Sequence, residues 1–489
     1  MIALALYLAL WLYTSMATDA DRYPVLHDAA RSGQVPLLFL AAGVFLAVHL
    51  AVLRPTRDNT GELYEVQVLQ PWRRTAAHLL SVVPAAVLAA VLAVARIVYV
   101  ATRPGAVSRP AISELATGPL VVLLAGTLAV CLAKLTDSVA AGPLVLAALG
   151  VLTIIGALNG TVQARWLAPI AFEDQFRPTV PSNLLYRPSG LHLVYLLCCA
   201  AGLGAVALWR SSGRSRIFRV AAAAALLGVV ATAALQLRPL PPSITAARTT
   251  AQSAPSSAQK CATTNSVTYC AFPEYLGRRT QWAPVANHIL DRLPGAVRRG
   301  HYYVRQHLSP EAFTSEGMAP PAPVGQWAKD DEHARTPGAA VVGTEWGPSS
   351  DGGNSAVIGF AATFAYRAVA GTPPGDGAVA KACGARGLVV LWLAAQATPE
   401  TKAALRDHAS RSSGAFTTFS PLNGNAGLVV QRDAVDMALT LTDRPMDKTA
   451  AQVRQSWTAL TAPGTSLAQA ADLLGLPAPQ PTSAEGGPC

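Results

Sequence analysis

Long apolar runs fill the first half of the chain and give way to ordinary polarity in the second. Seven of them, Met1–Ala17, Pro36–Leu53, Ala76–Val100, Gly118–Lys134, Ala140–Leu158, Gly190–Trp209 and Phe218–Leu237, are each near the ~20 residues that cross a hydrocarbon layer as a helix. The first lacks a basic leader and a convincing small-residue cleavage pattern, so it reads as a retained span. After Leu237 the pattern changes. Arg238–Lys260 is rich in Pro, Ser, Thr and Ala and predicts an exposed linker. From Cys261 helix and strand signals mix: "AVIGFAATFAY" and "GLVVLWLAA" suggest buried strands, while "MDKTAAQVRQSWTALT" and "SLAQAADLLGL" have helical spacing. The tail "PAPQPTSAEGGPC" predicts disorder. The expected fold is a polytopic α-helical membrane protein of about seven transmembrane helices, followed by a mixed α/β extracytoplasmic domain. Its expected parts are a transmembrane domain 1–237, a linker 238–260, an outer domain 261–476 and a disordered tail 477–489.

Composition agrees with lipid burial. Only 13% of residues are charged and 51% are hydrophobic, against about 25% charged in soluble domains. The net charge of +10 finds its cause in loops. Arg54, Arg57, Arg73 and Arg74 lie between spans two and three, and Arg210, Arg214, Arg216 and Arg219 between spans six and seven. Both loops fall on one side, which the retention of positive charge makes the cytoplasm of a cell whose plasma membrane the chain spans. The amino terminus is then inside and everything after Leu237 outside. Runs of five or six basic residues and basic patches interleaved with aromatics are missing, which excludes nucleic acid as a partner. Cys131, Cys198 and Cys199 sit in apolar spans as small hydrophobes. Cys261, Cys270, Cys383 and Cys489 fall in the outer domain, where oxidation is permitted. The pair in "CATTNSVTYC" closes a short loop and is the preferred disulfide; Cys383 with Cys489 is a weaker second.

The densest charge lies in Arg54–Leu80, "RPTRDNTGELYEVQVLQPWRRTAAHLL". Periodicity predicts a short helix around Glu62–Leu69, stopped by Pro71. Two readings stand: an amphipathic helix resting at the interface, or a lever that a cytoplasmic partner pushes. The order Arg57, Asp58, Gly61, Glu62, Leu63, Pro71, Arg73, Arg74 resembles the segment between the second and third spans of ABC-2-type exporter permeases. It departs from that pattern in having Thr60 before the glycine and Tyr64 where a second acidic or apolar residue is usual. The outer segment "NGTVQARWLAPIAFEDQF" looks like the partly re-entrant loop of such permeases, and the likeness covers roughly the first half of the chain. It implies a six-helix core with a seventh span added, no cofactor on this chain, and a partner ATPase that carries ATP and Mg. It also implies a second permease subunit, surrounding membrane lipids, and a coupling segment in which Arg57, Gly61, Glu62, Leu63, Glu65, Val66, Pro71, Arg73 and Arg74 dock on the ATPase.

Missing motifs narrow the chemistry. G-x-x-x-x-G-K-[ST], H-E-x-x-H and G-x-S-x-G are all absent, so the chain is not expected to be an enzyme by itself. A competing reading is a polytopic glycosyltransferase using lipid-linked sugars, with Asp19 and Asp21 of "TDADRYP" as base or metal ligands. A membrane-anchored sensor or binding protein is a third. His49 reads as a helix–helix hydrogen-bonding residue, Arg96 as a side chain snorkelling outward, and His192 as interfacial. The aromatics of "YCAFPEYLGRRTQWAPV" read as a small core.

Overall fold

Helix after helix follows from the Ala, Leu and Val runs, and the structure, a computed structural model, arranges them in one of two units. It describes residues 6, 7, 9, 10, 23–60, 70–159, 163–171, 179–212, 215–313, 322–347, 356–372, 379–412, 414–422 and 426–478. The first unit comprises Met1–Gln175 and Tyr186–Pro241; the second comprises Phe176–Leu185 and Pro242–Cys489.

In the first unit, α1 (Leu26–Ser32) runs through Gly33 into α2 (Gln34–Val52). Then come α3 (Pro71–Leu80), α4 (Val83–Ala101), α5 (Ile112–Leu135), α6 (Ala141–Asn159), α7 (Ser189–Ser211) and α8 (Arg216–Gln236). Five stretches among the described residues are long and apolar enough to cross a membrane: Leu26–Val52, Pro71–Ala101, Ile112–Leu135, Ser189–Ser211 and Arg216–Gln236. They match five of the seven expected spans. The sixth, α6, is a shorter apolar helix over its described side chains, and the expected span Met1–Ala17 lies almost wholly outside the described residues.

Helix α5 is the hub, packed by α2, α4 and α7. Small residues permit this: a Cβ added at Gly118 would meet Leu37 at 2.3 Å, and one at Gly126 would meet Val82 at 2.3 Å. Close backbone approach of this kind is how apolar helices associate where lipid removes the hydrophobic drive. The outer faces of α4 and α8 carry exposed Val87, Val91, Val98, Ile217, Leu226 and Leu227, as helices surrounded by lipid should.

The second unit begins with a correction. Pro242–Ser253, expected as linker, is a helix, α9. Its Arg248 donates to the carbonyls of Leu184 and Leu185 at 2.8 and 3.0 Å, and the Gln252 carbonyl accepts from Trp327 Nε1 at 2.6 Å. Next come β1 (Lys260–Thr264), β2 (Val267–Ala271), α10 (Arg279–Arg292), β3 (Tyr302–Gln306), α11 (Val324–His333) and β4 (Ala340–Val342). The strands form a sheet ordered β1-β2-β3-β4, with β1 antiparallel to β2 and the rest parallel. Then α12 (Ala356–Ala370), β5 (Val379–Ala382), α13 (Gly384–Ala395), α14 (Pro399–Arg411), β6 (Phe416–Phe419), β7 (Gly427–Gln431) and α15 (Arg432–Thr442) build a second sheet, β5-β7-β6, with its helices. Here α12 and α13 overturn the strand expectation for "AVIGFAATFAY" and "GLVVLWLAA". In α13, Leu388 through Ala395 are all buried, and a helix apolar on every side shows no period.

The loop between α6 and α7 also contributes to this unit. Thr344 Oγ1 donates to the Thr179 carbonyl at 2.6 Å, and Ser182 N donates to Glu274 Oε1 at 3.1 Å.

Cys261 and Cys270 pair across β1 and β2 in a disulfide, as the sequence suggested. Cys383 is also disulfide-bonded; its suggested partner, Cys489, lies outside the described residues, as do residues 479–489 of the tail. Opening a loop this short removes a constraint on the unfolded chain of about 2–3 kcal/mol. Accordingly, a Cys261→Ala/Cys270→Ala chain should show faster hydrogen exchange through β1 and β2, by one to two orders of magnitude on that estimate; unchanged exchange would count against a stabilising bond.

Candidate functional site

The helical unit carries charge at both ends. At one end, α2 closes with Leu53 buried, and a single turn, Arg54–Arg57, follows. Arg57 Nε donates to Asp58 Oδ1 at 3.0 Å and Arg54 Nε to Oδ2 at 3.4 Å. The Arg57 hydrogen bond holds the Asp58 carboxyl below the usual carboxylate range. Gly61, Glu62, Leu63, Glu65 and Val66, the centre of the expected coupling segment, lie outside the described residues. The chain resumes at Gln70, and Pro71 opens α3 in the first-turn position where its missing N–H costs nothing.

Helix α3 is fixed to the bundle. Thr75 is buried and its hydroxyl donates to Ser211 Oγ of α7 at 2.8 Å. Leu79 packs against a cluster containing Val52, Val130, Cys131 and Ala207. Trp72 approaches Phe218 of α8 at 6.2 Å between ring centroids, and the Arg73 guanidinium lies 5.4 Å from the Trp72 ring centre. Arg73 is exposed and Arg74 partly buried. Of the nine expected docking residues, the structure therefore places Arg57, Pro71, Arg73 and Arg74 on the two arms that flank the segment. Both arms are anchored: one is the end of α2, the other is α3 held against α7.

The other end holds a set of paired charges that the sequence reading did not assemble. Arg187, just before α7, donates to Asp28 of α1 at 3.2 Å and to Glu114 of α5 at 3.4 Å. Gln34 Nε2 donates to the Glu114 carbonyl at 2.8 Å. Arg31 Nη2 donates to the Ala171 carbonyl at 2.7 Å, and its guanidinium lies 5.6 Å from the Trp166 ring centre. Arg31, Gln34, Glu114, Thr117, Trp166, Ala171, Ser189 and His192 line a cavity of about 10 Å³, room for a single water. Such a space cannot hold a sugar or a lipid. What the arrangement supplies is an electrostatic latch that ties α1, α5 and the start of α7 together.

Three single residues gain places. Arg96 is buried, with Nη2 3.4 Å from Ser32 Oγ and its side chain against Gly33, so the outward snorkelling expected of it is corrected. The small residues of α1 and its junction with α2 leave it room. His49 is fully buried with Nε2 3.3 Å from the Ser138 carbonyl, in keeping with a hydrogen-bonding role. His192, expected at the interface, is 1% exposed. Asp19 and Asp21, the acids of the glycosyltransferase reading, lie outside the described residues.

Among the described residues no cluster of three or more His, Cys, Asp or Glu side chains could hold a metal. Compared with known proteins, the chain matches no protein-family model, no curated protein and no solved structure.

Proposed function

We propose that the chain is the membrane-spanning subunit of an ATP-driven exporter of the ABC-2 type, in the plasma membrane, with its second unit outside the cell. The observation that carries this reading is the residue order Arg57, Gly61, Glu62, Leu63, Pro71, Arg73, Arg74 between two apolar helices. The anchoring of both flanking arms supports it. A push on residues 58–70 meets α2 at one end and, through Thr75 and Ser211, α7 at the other, so a partner's movement reaches the bundle instead of dissipating in a loose loop. The partner is an ATPase carrying ATP and Mg, and a second permease subunit completes the pathway. Positive residues at this end, including Lys134, Arg210, Arg216 and Arg219, support a cytoplasmic placement for it.

Docking of this kind draws orientation from charge and binding energy from buried apolar side chains. Glu62→Lys or Leu63→Asp should therefore strip the ATPase from the purified complex and abolish substrate-stimulated ATP hydrolysis, while leaving the monodisperse membrane protein intact. Full retention of partner and transport by both variants would reduce the segment to an interfacial helix.

A further inference from the structure

The connection between α6 and α7 includes one 3-10 turn, Ala164–Leu167, and α7 grips it through His192. The imidazole Nδ1 lies 3.0 Å from the Trp166 carbonyl oxygen and 3.2 Å from Gln236 Oε1, while Nε2 lies 3.2 Å from the Pro169 carbonyl oxygen. The Gln236 amide is oriented by its own Nε2, which donates to the Thr232 carbonyl at 3.2 Å, so all three neighbours are acceptors. A neutral imidazole has one N–H and one lone pair. Whichever tautomer forms, one ring nitrogen then faces a carbonyl oxygen lone pair to lone pair. Only the imidazolium donates at both.

We propose that His192 is a proton-binding clasp: proton uptake fastens the 164–169 turn to the first turn of α7, and proton release loosens it. The described elements packed around the ring enter the balance. Arg31 of α1 stands over Trp166 and opposes a second positive charge, as burial does; the Trp166, Pro169 and Gln236 oxygens favour it, and Glu114 of α5, which lines the same cavity, is paired with Arg187. Arg187 spends its charge on Asp28 and Glu114. Gln236 of α8 is a neutral acceptor, and Tyr195 stacks at 6.1 Å while its hydroxyl donates to the Leu167 carbonyl at 3.2 Å. Burial and Arg31 weigh against the proton and the three acceptors weigh for it, so uptake belongs to the acid end of the pH range. Among the described contacts to this segment, those of Tyr195 and Arg31 involve no group with an ordinary pKa near neutrality, and His192 is the variable fastening. The inference does not rest on the exporter reading.

Hydrogen exchange on the full chain in nanodiscs, followed by mass spectrometry of peptides spanning 163–171 and corrected for the intrinsic pH dependence, tests it. The amides of Trp166 and Ala168, bonded to the carbonyls of Gln163 and Arg165, report directly. Protection should rise on the order of tenfold or more from pH 8 to pH 4, the factor expected of one charge-assisted hydrogen bond. His192→Gln, whose amide has an NH2 donor group and a carbonyl acceptor and takes up no proton in this range, should abolish that rise. Tyr195→Phe, which removes a fastening that does not titrate, should keep it and provides the comparison if the glutamine variant fails to fold. Equal protection at both pH values in the wild type, or an undiminished rise in His192→Gln, would overturn the clasp.

Discussion

Arg187→Met should destabilise the helical unit by about 3–5 kcal/mol, the cost of removing one member of a buried ion pair. Methionine keeps most of the volume, so packing loss is small and the effect is electrostatic. Glu114 bears most of it, because its side chain is 6% exposed, while Asp28, at 35%, can turn to solvent. The converse variant should confirm the assignment. Glu114→Gln in the Arg187→Met background removes the buried carboxylate and should recover part of the loss, giving a coupling energy outside the additive range of ~0.5 kcal/mol. Unfolding of the full chain in mixed detergent, read by hydrogen exchange at α5 and the start of α7, measures it. A single-variant loss below about 1 kcal/mol would mean that the latch is an incidental surface pair.

Arg305→Met should cost the second unit a comparable amount and change the sign-bearing part of its pH profile. Arg305 is buried on β3, paired through Nε with buried Asp331 of α11, and its remaining nitrogens donate to Gln259 and Thr336. Burial pushes the Asp331 carboxyl up to about 6, against the pull of the guanidinium. An unfolded aspartate releases its proton near ~3.9, so between those values the folded state binds more protons. Stability therefore falls as pH rises through that window and levels above about 6. With the guanidinium gone, the carboxyl should hold its proton to still higher pH, and the fall should continue beyond neutrality. Neighbouring His307, fully buried and held well below the ordinary imidazole range by burial and by Arg305, contributes the opposite slope, but only below about 6.5, where the unfolded imidazole takes up its proton. Hydrogen exchange of Tyr302–Gln306 between pH 6.5 and 8 thus isolates Asp331. A flat wild type and a declining variant are expected; two flat profiles would place the Asp331 proton elsewhere.

What could be read from the chain depended on whether the signal was local. The apolar spans were legible because lipid demands long uninterrupted runs, and five of them reappear as helices at nearly the expected positions. Cys261 and Cys270 were legible because nine positions apart suits a hairpin. By contrast α12 and α13 were misread, since burial on all sides erases the polar positions that reveal a period. Composition also misled at α9: Ser, Thr and Ala suggested a linker, yet Ala251 is buried and Arg248 reaches the carbonyls of a segment 63 residues away. The latch is the extreme case. Asp28 and Arg187 are separated by 159 positions, and each alone resembles the ordinary charge at the end of a span. Only the return of α7 beside α1 and α5 turns three isolated residues into a network.

The second unit is assembled from two lengths of chain, Phe176–Leu185 and everything from Pro242 onward, with α7 and α8 strung between them. Biosynthesis meets these in order. The first length leaves the ribosome before Glu274 and Thr344, its hydrogen-bond partners, have been made, and at ~5–20 residues per second it waits on the order of 5–30 s for them. Because both lengths belong to one unit, the two candidate spans that leave the first and return to the second, Ser189–Ser211 and Arg216–Gln236, must either both cross a membrane or neither.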